Sequence, residues 1–347
     1  MKTVFRIFRH LFPLVLIVVI GLALYQYKLV LYGMAQLKGQ LHIVWNAKPV
    51  EEVLADNEFP DSLKNKLRLI GEIRRFSIDT LGLKDSKNYT TLYDQKGKPV
   101  LWVITACEPF AMKAYEWHFP FLGDVSYKGF FVKEKGIPEV EKLKAQGYDT
   151  DYHPAGGWST LGWFKDPILS NMLRRNEGQL AELIIHELTH ATLYLPGSVD
   201  YNENFATFVG EQGAIKFLQS KFGRASTELN NYTEYQHDEE VFGEYMLQAC
   251  HSLDSLYRNM NSGLTRFEKS SIKYKHIVTI LSGIHQLNLY HPERYAFNTK
   301  NGQLPNNAFF MSYSRYRKKQ STFYTSYIQE GADVRKFIES QKKSASN

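Results

Sequence analysis

Cysteine is almost missing from this chain: only Cys107 and Cys250 occur in 347 residues, and they stand far apart. Without a C-x-x-C pair, the cysteines cannot build a zinc site by themselves, and a disulfide-stapled small fold is excluded. A single disulfide would need an oxidising compartment; two buried free thiols are the plainer expectation. Charge is also sparse, at 22% of residues, and the formal net charge is a modest +6. The densest basic run, Arg315 to Lys319, has no nucleic-acid recognition motif beside it. It reads as a solvated helix face, so nucleic acid is not an expected partner. Internal repeats and low-complexity tracts are lacking too, which excludes solenoids and long disordered arms.

What is present is apolar and aromatic material. Hydrophobic residues make up 44% of the chain, with 22 tyrosines and 22 phenylalanines. That supports a substantial core and leaves aromatics to fill it or to line a groove. At the N-terminus, Lys2, Arg6 and Arg9 precede an uncharged run from Leu11 to Tyr27, closed by Lys28. Such a run lies at the lower limit of a membrane-spanning helix and exceeds the usual core of a cleaved signal. No cysteine follows it, which excludes a lipoprotein signal. Residues 1–28 are therefore expected to form a transmembrane anchor, with a removed signal as the alternative. The basic flank stays cytoplasmic, placing the rest outside the inner membrane, in the periplasm of a Gram-negative cell.

Beyond the anchor, strands precede helices. Leu63, Leu67, Ile70, Ile73 and Phe76 recur at helical steps, predicting a helix over 61–80. Tyr89 to Tyr93 and Val100 to Ile104 read as strands joined as a hairpin across Asp94 to Pro99. Val125 to Val132, Tyr148 to Tyr152 and Trp158 to Gly162 are further strand candidates, and Pro138 to Gln146 a short helix. From Asn176 onward the pattern is almost wholly helical. Helices are expected over 177–195 and 203–222, around Val241 to Met260 and Phe267 to Ile284, and beyond Pro305. Residues 342–347 are expected to fray. This is an α+β arrangement.

The chemistry concentrates in HELTH, residues 186–190, and NENFA, residues 202–206. His186 and His190, four apart on a helix, project from one side and can reach a single zinc ion. Glu187 is carried toward the metal's open side, where it can take a proton from water. A catalytic zinc needs a third protein ligand. Twelve residues separate His190 from Glu203, and they include Pro196, Gly197 and Ser198, a helix-ending turn. With Asp200 or Asn202 capping the next helix, Glu203 falls in its first turn, opposite the histidines. Tyr235, His237, Tyr245, Tyr313 and Tyr316 are candidates to stabilise a developing oxyanion, although packing is the commoner role for each. His118 and His153 lack a partner at ligand spacing and read as structural.

HELTH followed by NENFA resembles the gluzincin arrangement. The wider stretches AGGWSTLGWFKDP, LIIHELTHATLYL, YNENFATFVGEQG, FPFLGDVSYKGFF and PNNAFF are similar to a bacterial family of predicted aminopeptidases. The resemblance implies a two-lobed zincin-like fold: a strand-containing lobe, 29–195, ending in the HELTH helix, and a helical lobe, 196–347, opening with the NENFA helix. It implies zinc as cofactor and a peptide as substrate. It makes WSTLGW a cleft-edge strand, with Ser159, Thr160 and Gly162 against the substrate backbone; an ordinary core strand is equally open. Thr207 and Glu211, one and two turns beyond Glu203, could accept a histidine N–H. WSTLGW carries no carboxylate for a substrate amine, so endopeptidase, dipeptidase and other amidase activities stay open. So does a catalytically silent envelope scaffold.

Overall fold

The structure, a computed structural model, describes residues 21, 24–119, 123–155, 165–195, 197–297, 304–313 and 320–346. The expected anchor lies almost wholly outside them. Among the described residues, no helix is long and apolar enough to cross a membrane. Helix α1 (Tyr27–Trp45) belongs to a first unit ending at Asn46, and all later elements belong to a second, Ala47–Asn347.

The second unit opens with β1 (Lys48–Pro49), α2 (Val50–Ala55) and α3 (Asp61–Asp79). Helix α3 follows the apolar steps read from the sequence, burying Leu67, Ile70 and Ile73. Strands β2 (Thr91–Tyr93) and β3 (Trp102–Cys107) come next, and they do not form the expected hairpin. Strand β2 pairs antiparallel with β1, while β3 enters another sheet. The turn between them is real, with Lys96 and Gly97 at positive φ and a Lys98 N to Gln95 O bond of 3.0 Å. Gln95, however, is held by Ser170 Oγ, which accepts from its N–H at 2.9 Å, and its own Oε1 accepts from Asn171 N. Those bonds draw the turn away from a two-strand pairing.

Strands β4 (Trp117–Phe119) and β5 (Gly123–Val125) form a small hairpin, followed by β6 (Lys128–Phe130). The single strand expected over 125–132 is thus divided between two sheets. Helix α4 (Lys133–Ala145) starts a turn and more before Pro138, which it accommodates internally. Gly136 packs this helix closely on the sheet: a Cβ there would run into the Tyr152 phenol and stand 3.1 Å from the Phe130 ring. Strand β7 (Asp149–Pro154) pairs antiparallel with β3, as does β6 on the other side, giving the order β6-β3-β7. Strand β8 (Ile168–Leu169) lies parallel to β2 and completes the sheet β1-β2-β8.

The rest is helical: α5 (Glu177–Thr192), α6 (Val199–Phe222), α7 (Thr227–Arg258), α8 (Arg266–Gly283), α9 (Asn307–Tyr313), α10 (Gln320–Gln329) and α11 (Val334–Ser346). The fold is α+β, as expected. Helix α6 buries side chains all round, including Phe205, Phe208, Val209, Phe217 and Leu218, so it runs through the interior. Phe205 and Phe208 pack with tilted rings against Phe323 of α10 and Phe337 of α11. Because Val334, Phe337 and Ile338 are buried there, α11 stays helical to Ser346, where fraying was expected. A second core joins α7 to α8 and α9 through Met246, Leu253, Ile277, Ile280 and Phe310. Both cysteines are buried free thiols.

Candidate metal centre

Helix α5 is fixed at its start by a capping box. Asn176 Oδ1 accepts from Gln179 N at 2.9 Å, and Gln179 Oε1 accepts from Asn176 N at 3.4 Å. Leu180, Ala181, Ile184, Ile185 and Leu188 are buried, which leaves His186 and His190 on the remaining face toward α6. Two glycines on α6 let the helices meet closely. A Cβ on Gly210 would stand 3.0 Å from the Glu182 carbonyl and 3.2 Å from His186 Cβ. One on Gly213 would stand 2.9 Å from Leu81 and 3.0 Å from Ile185.

The connection between α5 and α6 differs from expectation. Helix α6 begins at Val199 with no side-chain cap, so Glu203 occupies its second turn rather than its first. Asn202 is not a cap. It is buried inside the helix and grips Leu195, its Oδ1 accepting from Leu195 N and its Nδ2 donating to Leu195 O, each at 2.8 Å. This clamp folds the chain back and carries Glu203 to the histidines.

The three side chains converge. His186 Nε2 and His190 Nε2 face one another at 3.1 Å. The Glu203 carboxylate lies 3.6 Å from His186 Nε2 and 3.5 Å from His190 Nε2. One ligand atom from each lies within 4.8 Å of the others. Two ligands about 2.0–2.1 Å from a tetrahedral ion stand about 3.3–3.5 Å apart, so the set fits a single zinc. Two imidazoles and a carboxylate are also the donors such an ion takes. Thr207 Oγ1 lies 3.5 Å from His186 Nδ1, the ring's far nitrogen. His190 Nδ1 is buried with no hydrogen-bond partner among the described residues.

Electrostatics reflect the crowding. Hydrogen bonds to His186 and His190 hold the Glu203 carboxyl far below the usual range, against the effect of burial. Burial lowers His186, but Glu203, Glu187 and Glu182 outweigh it and leave the imidazole raised. Glu187 is raised, first by burial and then by Asp166 and Glu203, against the pull of both histidines.

A family model described as "Putative aminopeptidase" matches residues 31–347. The chain belongs to this family. No curated protein and no solved structure gives a match. The match covers α1 from Leu31 onward and every later element, including the three converging side chains.

Other residues named from the sequence fall in different places. Ser159, Thr160 and Gly162 lie outside the described residues, as do Tyr316 and the basic run around it. Glu211 adds its charge to the surroundings of the buried Tyr232 phenol. Tyr245 donates to Ile280 O at 2.6 Å, and Tyr313 packs against Phe242 and Phe309, so both are engaged in the helical core. His237 Nε2 lies 3.0 Å from Asn288 O. His118 and His153 sit beside Asp124 and Asp151.

Three residues near the site were not anticipated. Glu182, one turn before His186, accepts from Tyr232 OH at 3.2 Å and Gln236 Nε2 at 3.0 Å, tying α5 to α7. Its position four residues before a ligand was a legible signal. Tyr89 and Asp166 come from distant segments. Tyr89 is buried with φ of 61°, a left-handed conformation rare for an aromatic residue. Its N–H donates to Asp166 O at 2.7 Å, and Asp166 N donates to Asn88 Oδ1 at 3.1 Å. Burial, followed by the charges of Glu187 and Asp166, pushes the Tyr89 phenol well up.

Proposed function

We propose that the protein is a zinc-dependent peptidase of aminopeptidase type, with a gluzincin ligand set of His186, His190 and Glu203. The convergence of these three side chains on one point carries the proposal. Family membership supports peptide hydrolysis as the reaction. Zinc held there supplies Lewis-acid polarisation of a carbonyl and brings the pKa of water to about 7.

The chain's own groups do the rest. Glu187 follows His186 on α5 and lies buried within the charge field of His186, His190 and Glu203, so its carboxylate is the general base. It takes a proton from the attacking water and returns it to the leaving amine. Thr207 steadies the His186 ring from its far nitrogen. The resemblance of WSTLGW assigns Ser159, Thr160 and Gly162 to the substrate backbone. The fold is read as zincin-like, with lobes 29–195 and 196–347 on either side of the site. The apolar run and basic flank within residues 1–28 support a tether that leaves this domain outside the inner membrane.

The experiment is peptide hydrolysis by wild type and Glu187→Gln, using peptides with free and blocked N-termini. Loss of a general base lowers turnover by about 10²–10⁴-fold. The expected result is that loss with unchanged thermal stability, together with a preference for free amines. Equal hydrolysis by both proteins would overturn the proposal.

A further inference from the structure

Helix α1 carries an apolar stripe on its outside. Tyr27, Leu31, Met34, Leu37 and Trp45 are between 53% and 75% exposed, and Val30 is exposed beside them. Spacings of three and four residues put these side chains on one face. The polar Gln36 and Gln40 fall on the opposite side of the helix. An exposed face of this composition is costly in water and marks a surface that meets another phase or partner.

Charge identifies the partner. No aspartate or glutamate occurs before Glu51, while Lys2, Arg6, Arg9, Lys28, Lys38 and Lys48 precede it. Lys2, Arg6 and Arg9 belong to the flank read as cytoplasmic, so Lys28, Lys38 and Lys48 are the charges on the side of α1, with no carboxylate among them. Lys38 lies on the apolar face itself, between Met34 and His42. Apolar side chains interleaved with lysine, and free of carboxylates, suit an anionic lipid surface.

We propose that α1 lies in the headgroup region of an anionic bilayer, with the Tyr27–Trp45 stripe facing the acyl chains. The stripe continues directly from the uncharged run Leu11 to Tyr27. The helix contributes a second membrane contact, distinct from a crossing segment, and turns its other face, with Ile43 buried and Gln36 and Gln40 half-buried, away from the lipid. This inference is independent of the metal centre and of any catalytic activity.

Spin labelling of the full chain tests it. Wild type is expected to take up little label, because Cys107 and Cys250 are buried and burial pushes the Cys107 thiol up to about 12. Met34→Cys and Leu31→Cys place labels on the stripe, and Gln40→Cys places one opposite. Each variant is reconstituted in vesicles of phosphatidylcholine with phosphatidylglycerol. The expected result is an oxygen-to-nickel-complex accessibility ratio several-fold higher at 31 and 34 than at 40, shrinking in phosphatidylcholine alone. Equal access of the nickel complex at all three positions would overturn the proposal. So would strong dipolar coupling between labels at 34 on two chains, which would assign the face to a second copy. A contrast unchanged by removing the anionic lipid would overturn the assignment to anionic headgroups.

Discussion

Glu139 accepts from Trp117 Nε1 at 3.1 Å and from Lys128 Nζ at 3.0 Å, so one carboxylate joins α4 to β4 and β6. Burial pushes its pKa up, but these two donors and the nearby Lys128 and Lys142 charges more than offset that, leaving it lowered. A carboxyl lowered in the folded state stabilises above its unfolded pKa of about 4.3 and loses that contribution as pH falls through the folded value. Glu139→Gln should therefore cost about 1–2 kcal/mol at pH 7, with the difference shrinking as pH falls below about 4.3. Denaturant melts at pH 7 and at a series of acid pH values check this. The same scale shows what a sequence can reveal of the site. His186 and His190 were legible because four-residue spacing on a helix dictates a shared face, and Glu203 because a turn separates it from them. Tyr89 and Asp166 were not legible, since only the tertiary fold brings their segments to Glu187.

Between elements, the spacing of α5 and α6 governs the site. Gly210 sits where any side chain would meet the Glu182 carbonyl and His186 Cβ, so the helices approach to backbone distance there. Gly210→Ala should force them apart and cost about 1–3 kcal/mol of stability, typical of overpacking. The same displacement should weaken metal retention, which thermal melts with and without added zinc would reveal as a smaller metal-induced rise. An unchanged melting temperature and metal response would contradict close packing as the source of the geometry. Periodicity and turn residues located α3 and α8 well, because each has an apolar face that repeats at helical steps, but marked only the later part of α7, which starts at Thr227 rather than near Val241. They failed at β2 and β3, where a sound turn signal was read as a hairpin. Partners for those strands lie far along the chain, and no local pattern encodes long-range pairing. Glu203 was placed a turn too early in its helix for a related reason. Asn202 looked like a cap, but its side chain instead closes the connection by binding both backbone groups of Leu195.

Across the second unit, Asn307 of the PNNAFF stretch ties the strands to the helices. Its N–H donates to Asp149 Oδ2 at 2.9 Å, its Nδ2 donates to Glu108 O at 2.9 Å, and its Oδ1 accepts from Tyr257 OH at 2.8 Å. Lys273 of α8 also binds Asp149. Asn307 is fully buried, so Asn307→Ala strands the Tyr257 hydroxyl and the Glu108 carbonyl, at about 1–3 kcal/mol for each group left unpaired. A urea melt should show the midpoint falling with little change in slope. The α+β class was legible from the order of strand-rich and helix-rich segments, but this junction was not: PNNAFF stood out only as a shared motif, and its role depends on contacts from four elements. The account of function rests on one ion held by two histidines and a glutamate. Zinc X-ray absorption of the purified protein tests that most directly. The predicted spectrum has two imidazole nitrogens and carboxylate or water oxygens at about 2.0–2.2 Å, and it is lost in His190→Ala and Glu203→Ala but kept in Glu187→Gln. Zinc bound through sulfur, or bound equally well in all three variants, would contradict the account.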